Sequence, residues 1–84
     1  MPITAEEFHL AAKRQFEAAL CRVEDFLRAS PDLAYSAEEL LQVVVITPDL
    51  MDYVLEELEY NGVIEHGVVR DCIYYRILPA PASQ

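Results

Sequence analysis

The residues that could bind a metal ion or act as nucleophiles are few in this sequence, and they are widely separated. Two cysteines, Cys21 and Cys72, and two histidines, His9 and His66, are the candidates for a zinc site. Zinc ligands usually include closely spaced pairs, and no two of these four residues have that spacing. We therefore expect ordinary thiols and imidazoles, with no disulfide framework, no metal and no cofactor.

Acid-base or nucleophilic catalysis is not indicated either. Glu56 and Glu59 lie one helical turn apart, but a catalytic carboxylate pair needs burial to separate its two pKa values, and these positions are expected to be exposed. Cys21 lies near Glu17 and Glu24 in the sequence, and neighbouring carboxylates oppose formation of a thiolate. There is no glycine-rich phosphate loop and no Ser/His/Asp set. The sequence predicts a protein that is not an enzyme.

Glu56 and Glu59 belong to a stretch, residues 47–62, that is typical of one helix with both ends marked. Thr47 can cap its N-terminus, Pro48 suits the first helical position, and Gly62 can stop it in the left-handed conformation. At about 100° per residue, one face of this helix is apolar and is predicted to be core. That face consists of Met51, Val54, Leu55 and Leu58, with Leu50 at its edge.

The opposite face of this helix is acidic and carries two tyrosines. Tyrosine is enriched in interface hot spots, and surrounding acids steer a basic partner while disfavouring an anionic one. Two other interpretations stay open: the tyrosines cover the hydrophobic edge of the domain, or the acids serve only solubility. The predicted partner-binding residues are Asp49, Asp52, Tyr53, Glu56, Glu59 and Tyr60.

The charge is concentrated in the middle of the chain. The 84 residues have a formal net charge of −9. Residues 1–28 contain five acids and four Lys or Arg, residues 29–69 contain nine acids and no Lys or Arg, and residues 70–84 contain two Arg and one acid. If the acids served only solubility, they would be spread evenly along the chain. Their concentration in the middle of the chain therefore favours an acidic surface with a function.

A long helix is predicted at the N-terminus. Thr4 to Glu7 has the pattern of a capping box, and no Gly or Pro interrupts the chain before Ser30, so the helix can continue to about Ala29. At 1.5 Å per residue it would be nearly 40 Å long, more than one small domain needs. We expect residues 1–15 to project and its apolar residues to associate with a second copy; packing within the monomer or against another protein are the alternatives. The predicted dimerisation residues are Phe8, Ala12 and Phe16.

The remaining elements are a short helix and a β-hairpin. Ser36 to Glu39 forms a second capping-box pattern, and the β-branched run 43–46 is interpreted as a helix end followed by a tight turn. Two runs rich in Val, Ile and Tyr, 63–69 and 72–78, predict two strands joined around Gly67 to Asp71. The sequence thus predicts a mainly α domain with a small β-hairpin (α+β) over residues 1–78, followed by a flexible tail, 79–84.

This order of elements resembles the winged helix-turn-helix domain. The matching segments are Phe26-Leu27, residues 33–36 at the first-strand position, 37–41 on the second helix, and 55–65, Leu-Glu-Glu-Leu-Glu-Tyr-Asn-Gly-Val-Ile-Glu, where the third helix meets the wing. The resemblance covers about residues 16–78. It implies a winged helix-turn-helix with an extended N-terminal helix, in which helix 3 usually lies in a DNA groove.

The charges disagree with that usual role, because Lys and Arg contacts to phosphate supply most of the nonspecific affinity for DNA. Our first hypothesis is a non-catalytic interaction module that binds a basic protein surface through helix 3, with nucleic-acid mimicry and inhibition as one form. The alternatives are a small accessory subunit of an enzyme complex, or a dimeric DNA-binding transcriptional regulator. The regulator would use cations of helix 1 and the wing: Lys13, Arg14, Arg22, Arg70 and Arg76.

The sequence also carries an expectation about location. No apolar run approaches the ~20 residues of a membrane helix, and the first residues lack the basic and apolar regions of a signal peptide. We expect a soluble cytoplasmic protein that does not bind membranes.

Overall fold

Three helices and a three-stranded antiparallel sheet make up the computed structural model, which describes residues 1–79. The sheet order is β1-β3-β2, so the last strand lies in the middle. This confirms an α+β fold, and the expected tail lies outside the described residues apart from Pro79. The elements are α1 (Ala5–Ala29), β1 (Tyr35–Ser36), α2 (Ala37–Val43), α3 (Pro48–Tyr60), β2 (Ile64–Val69) and β3 (Cys72–Ile77).

The helix starts are set by side-chain caps, as the sequence predicts. The Ser36 hydroxyl accepts a hydrogen bond from the Glu39 backbone N–H at 3.2 Å, and the Glu39 carboxylate accepts one from the Ser36 N–H at 2.9 Å. This is a complete capping box. At α1 only one half forms, in which the Thr4 hydroxyl accepts from the Glu7 N–H at 3.0 Å.

The end of α3 is a Schellman motif. Gly62 has a φ of 76°, and its N–H donates to the Glu59 carbonyl at 3.0 Å. The Val63 N–H donates to the Leu58 carbonyl at 2.9 Å. These two bonds satisfy carbonyls that the helix leaves free, and they turn the chain directly into β2. The predicted glycine stop is confirmed.

The core lies where α1, α2 and α3 meet the base of the sheet. The predicted inner face of α3 is confirmed, since its four apolar residues are at most 3% exposed. The run 43–46 is not a strand; α2 ends at Val43 and Val44 caps it in an extended conformation. The buried residues are Ala19, Val23, Leu27, Leu40, Val44, Met51, Val54, Leu55, Leu58, Ile64 and Ile77.

The hairpin joins its strands through a two-residue turn. Val69 pairs with Cys72, and Arg70 and Asp71 between them have φ values of 52° and 66°. Positive φ at both central positions characterises the type I′ hairpin turn. Gly67 lies inside β2, paired with Tyr74, so the turn is shorter than the predicted 67–71 connection.

The first half of α1 extends away from the core. Residues 1–15 are all exposed, and the first buried residue of the helix is Ala19. The Cα radius of gyration is 14.5 Å, whereas a chain of this length has about 12 Å when globular. Residues 1–15 therefore lie outside the packed body of the structure. Within residues 1–79, no helix combines the length and the apolarity needed to span a bilayer.

Candidate functional site

The outer face of α3 is the most distinctive surface of the molecule. Its inner face is fixed in the core, and the Thr47 hydroxyl accepts from the Leu50 N–H at 3.2 Å to start the helix. The outer side chains are therefore held on a rigid element. Five of the six predicted partner-binding residues are exposed and Glu59 is half-buried; the exposed ones are Asp49, Asp52, Tyr53, Glu56 and Tyr60.

The two tyrosines of this face cover little of the domain. Tyr53 is 65% exposed and Tyr60 is 85% exposed. A tyrosine that covers a hydrophobic edge would lose most of its ring surface to its neighbours, so these exposures argue against that role.

The carboxylates of this surface are largely unneutralised. In residues 1–79, the ion pairs involve none of Asp49, Asp52 and Glu56. Glu59 is different, because its carboxylate contacts the Nδ1 atom of His66. The acidic face therefore keeps three free carboxylates along one side of the helix.

The hairpin forms the neighbouring wall of this surface. His66 lies opposite Tyr75 in the ladder, with ring centroids 6.2 Å apart. The pKa of Tyr75 is raised above its ordinary value, first by burial and then by the carboxylates of Glu59 and Asp52. These interactions place the hairpin face that contains His66 and Tyr75 against the acidic side of α3.

Farther along the same hairpin face, two apolar residues are exposed. Side chains alternate along a strand, so Val68 shares the face of His66, and Ile73, its ladder partner, shares the face of Tyr75. Val68 is 67% exposed and Ile73 is 48% exposed. The sequence analysis did not select either residue, although the alternation of β2 could have indicated them. They add an apolar margin to the acidic surface.

The cations of the DNA-binding alternative lie on three separate parts of the molecule. Lys13 and Arg14 lie on the projecting part of α1, with Arg22 further along that helix. Arg70 occupies the hairpin turn, and Arg76 lies on β3. The Arg76 guanidinium pairs with the Glu65 carboxylate at 3.3 Å, which offsets its charge.

The predicted dimerisation residues lie in a row on α1. Phe8 is 63% exposed, Ala12 is exposed and Phe16 is half-buried. Phe16 packs against the edge of the core, so it joins the projecting segment to the domain.

No metal-type cluster is found in the part of the chain that the structure describes: no group of three or more His, Cys, Asp or Glu side chains could hold an ion there. Cys21 and Cys72 are free and exposed.

No family model matches this sequence, and neither a curated protein nor a solved structure shows significant similarity to it.

Proposed function

We propose that this chain is a winged helix-turn-helix domain that acts as a non-catalytic protein-interaction module and binds a basic protein surface through the outer face of α3. The order of elements supports the fold, because three helices precede the hairpin and a short strand between the first two helices completes its sheet. In this fold α3 has the position of the helix that usually enters a DNA groove.

The proposed function rests on one observation: exposed tyrosines and free carboxylates lie together on the outer face of α3. Tyr53 and Tyr60 lie on the same face as Asp52 and Glu56, and this face belongs to a 29–69 segment that contains no Lys or Arg. Tyrosine side chains supply contact area, and the carboxylates attract a basic partner and repel polyanions. A row of carboxylates also presents negative charge, as the phosphates of a nucleic acid do, so one form of this function is inhibition of a nucleic-acid-binding protein.

The experiment is capture of proteins from a cell extract on the immobilised chain at several salt concentrations. The wild type is expected to retain a basic partner, and the Asp52→Lys/Glu56→Lys variant is expected to lose it. The matched control is Glu17→Lys/Asp25→Lys, which makes the same change of charge at exposed positions on α1. Equal capture by all three proteins would contradict the proposal.

A second arm tests the DNA-binding regulator. The wild-type chain is mixed with a mixed-sequence DNA duplex at low salt, and binding is followed by fluorescence anisotropy. We expect no binding, because an acidic α3 repels phosphate. Binding that weakens steeply with salt and is lost in Lys13→Ala/Arg70→Ala would instead establish the regulator.

A further inference from the structure

β2 is an edge strand whose free side is open along most of its length. The sheet order β1-β3-β2 leaves one side of β2 without a neighbouring strand. Residues 65–69 are all exposed, and Ile64 at the start of the strand is buried. An edge strand presents unpaired backbone N–H and C=O groups, which can pair with another chain. A further strand can therefore be added beside β2.

The ladder register identifies the backbone groups that point outward. Val69 and Cys72 flank a two-residue turn, so they form a hydrogen-bonded pair. Hydrogen-bonded and non-hydrogen-bonded pairs alternate along an antiparallel ladder, so His66 and Val68 direct their N–H and C=O groups away from β3. Outside the ladder, the hydrogen bonds of β2 in the part of the chain that the structure describes use the side chains of His66 and Glu65. The outward backbone groups have no partner there.

β2 lacks the features that usually protect an edge strand. Natural edge strands carry Lys or Pro, contain a bulge, or are covered by a helix or loop. β2 has the sequence Ile-Glu-His-Gly-Val-Val and pairs with β3 residue for residue, without a bulge. The edge is therefore open to pairing with a chain of suitable charge.

Nothing in the described chain requires glycine at position 67. Glycine inside a strand is destabilising relative to alanine. Gly67 does not have a positive φ, and no atom lies within 4 Å of a Cβ added to it. A strand glycine often marks a close approach of another backbone or a ligand. A cavity of about 190 Å³, lined in part by Gly67, Val69 and Tyr74, lies at this position, and it can receive one large side chain of an added strand.

The carboxylates beside the edge determine which charge an added strand should carry. Glu59 contacts His66, so its carboxylate lies beside the position of a residue paired with His66. Glu65 adds a second carboxylate on the other face of β2, where Arg76 pairs with it at 3.3 Å. Residues 29–69 contain no Lys or Arg. A basic strand is therefore attracted to this edge, whereas a second copy of this chain would bring two acidic bodies together, where like charges repel.

We propose that the edge of β2 binds an extended basic segment of the partner protein, which adds a fourth strand antiparallel to β2. An Arg of this segment lies opposite His66 and beside Glu59, a Lys lies opposite Glu65, and an aromatic residue lies opposite Gly67 and fills the cavity. In such strand addition, backbone hydrogen bonds give affinity and alternate side chains give specificity. The inference rests on the proposed function for the basic character of the partner, and it adds the form of the bound segment.

The experiment uses the peptide acetyl-Thr-Val-Phe-Arg-Lys-Thr-amide. In antiparallel pairing its Val, Phe, Arg and Lys lie opposite Val68, Gly67, His66 and Glu65. The nitrogen-15-labelled chain is titrated with the peptide to about 1 mM, a concentration suited to weak binding, and amide hydrogen exchange is measured by NMR. The N–H groups of His66 and Val68 should exchange about fivefold more slowly in the complex, because they gain hydrogen-bond acceptors. The N–H groups of Gly67 and Val69 already bond to β3 and are the internal controls.

Two peptides that differ only in the position of one N-methyl group separate strand pairing from simple charge attraction. In antiparallel pairing the Arg N–H points to β2 and the Phe N–H points away from it. N-methylation of the Arg should weaken binding about tenfold, because it removes a hydrogen bond at the contact. N-methylation of the Phe keeps the same charges and that hydrogen bond, and it should change binding by less than about twofold.

A pair of protein variants tests the same contact from the other side. Val68→Pro removes an outward N–H and no ladder hydrogen bond, whereas Val68→Thr keeps that N–H and a β-branched side chain. The proline variant should bind the peptide about tenfold more weakly than the wild type, and the threonine variant less than about threefold more weakly. Protection of the Gly67 N–H verifies that the hairpin of each variant is folded.

Three results would overturn the inference. The first is no binding of the peptide to the wild type, and the second is equal weakening by the two N-methyl groups. The third is slow exchange of His66 and Val68 in the free chain that becomes slower with chain concentration, because it would show a second copy at the edge.

The proposed function is tested separately, by the loss of capture in Asp52→Lys/Glu56→Lys. If capture depends on these acids but the peptide does not pair with β2, the α3 function stands and the edge inference is wrong. If the peptide pairs with β2 but all proteins capture equally, the edge inference stands and the α3 function is wrong.

Discussion

At the scale of single residues, three side chains connect α3 to the hairpin. Glu59 contacts His66, and His66 lies across the ladder from Tyr75. The carboxylates of Glu59 and Asp52 raise the pKa of the Tyr75 phenol, with burial as the larger cause. The carboxylates of the acidic face therefore affect the ionisation of a hairpin residue, Tyr75.

Tyr75 should consequently lose its proton at a higher pH than a free tyrosine, whose pKa is about 10. Because the folded state holds the proton more tightly, this residue contributes stability that is fully present below pH ~10 and is lost as the pH rises toward the folded pKa. An ultraviolet titration of tyrosinate measures the shift. Glu59→Gln should reduce it, and Glu56→Gln, at an exposed neighbouring position, should reduce it less. Identical titrations of all three proteins would rule out this electrostatic coupling.

At the scale of elements, two chain reversals use residues in the left-handed backbone conformation. One reversal uses a glycine, and the other uses two residues that have a Cβ atom. After α3 the left-handed position is Gly62, which adopts this conformation without steric cost. In the hairpin turn the corresponding positions are Arg70 and Asp71. Their Cβ atoms make this conformation less favourable than it is for glycine, and the cost is greater for Arg70, because aspartate tolerates it better. The end of α3 is therefore free of backbone strain. The hairpin turn has a less favourable backbone conformation, which strand pairing maintains.

This difference predicts opposite effects of two substitutions. Asp71→Gly should raise the free energy of unfolding by roughly 0.5 kcal/mol, because it removes a left-handed non-glycine residue. Gly62→Ala should lower it by about 1 kcal/mol, because it creates one. No atom lies within 4 Å of a Cβ added at Gly62, so the backbone conformation is the cause. Urea denaturation measures both values, and effects of the same sign would refute the explanation.

At the scale of the whole molecule, the two ends differ in shape and in charge. One end is the projecting α1 segment, which has acids and bases in similar numbers. The other is the body, which contains the 29–69 acid-rich segment and the exposed face of α3. The net negative charge therefore belongs to the body rather than to the projecting segment.

Dimerisation through the projecting segment should make thermal stability depend on concentration. The Tm of the full chain should rise with protein concentration, because association stabilises only the folded state. A chain that begins at residue 16 should unfold at a Tm independent of concentration, and it should still fold, since residues 1–15 are all exposed. Differential scanning calorimetry over a hundredfold concentration range makes the comparison. A full chain with a constant Tm would argue against association.

The sequence by itself determined the features that arise from neighbouring residues. Thr4, Ser36 and Thr47 cap helices, and the apolar spacing of α3 defines its buried face, because caps and helical periodicity depend on residues within one or two turns. The exposed acidic face follows from the same periodicity. These predictions needed no knowledge of the fold.

Only the tertiary structure decided how distant segments meet. β1 pairs with β3 rather than with the nearer β2, and Gly67 lies within a strand while the turn falls at Arg70 and Asp71. The contact of Glu59 with His66 and the exposed hairpin margin beside α3 also come from this packing. Strand register is set by pairing along the whole ladder and by the core beneath it, so local turn propensity, which favours glycine, gave an incomplete answer here.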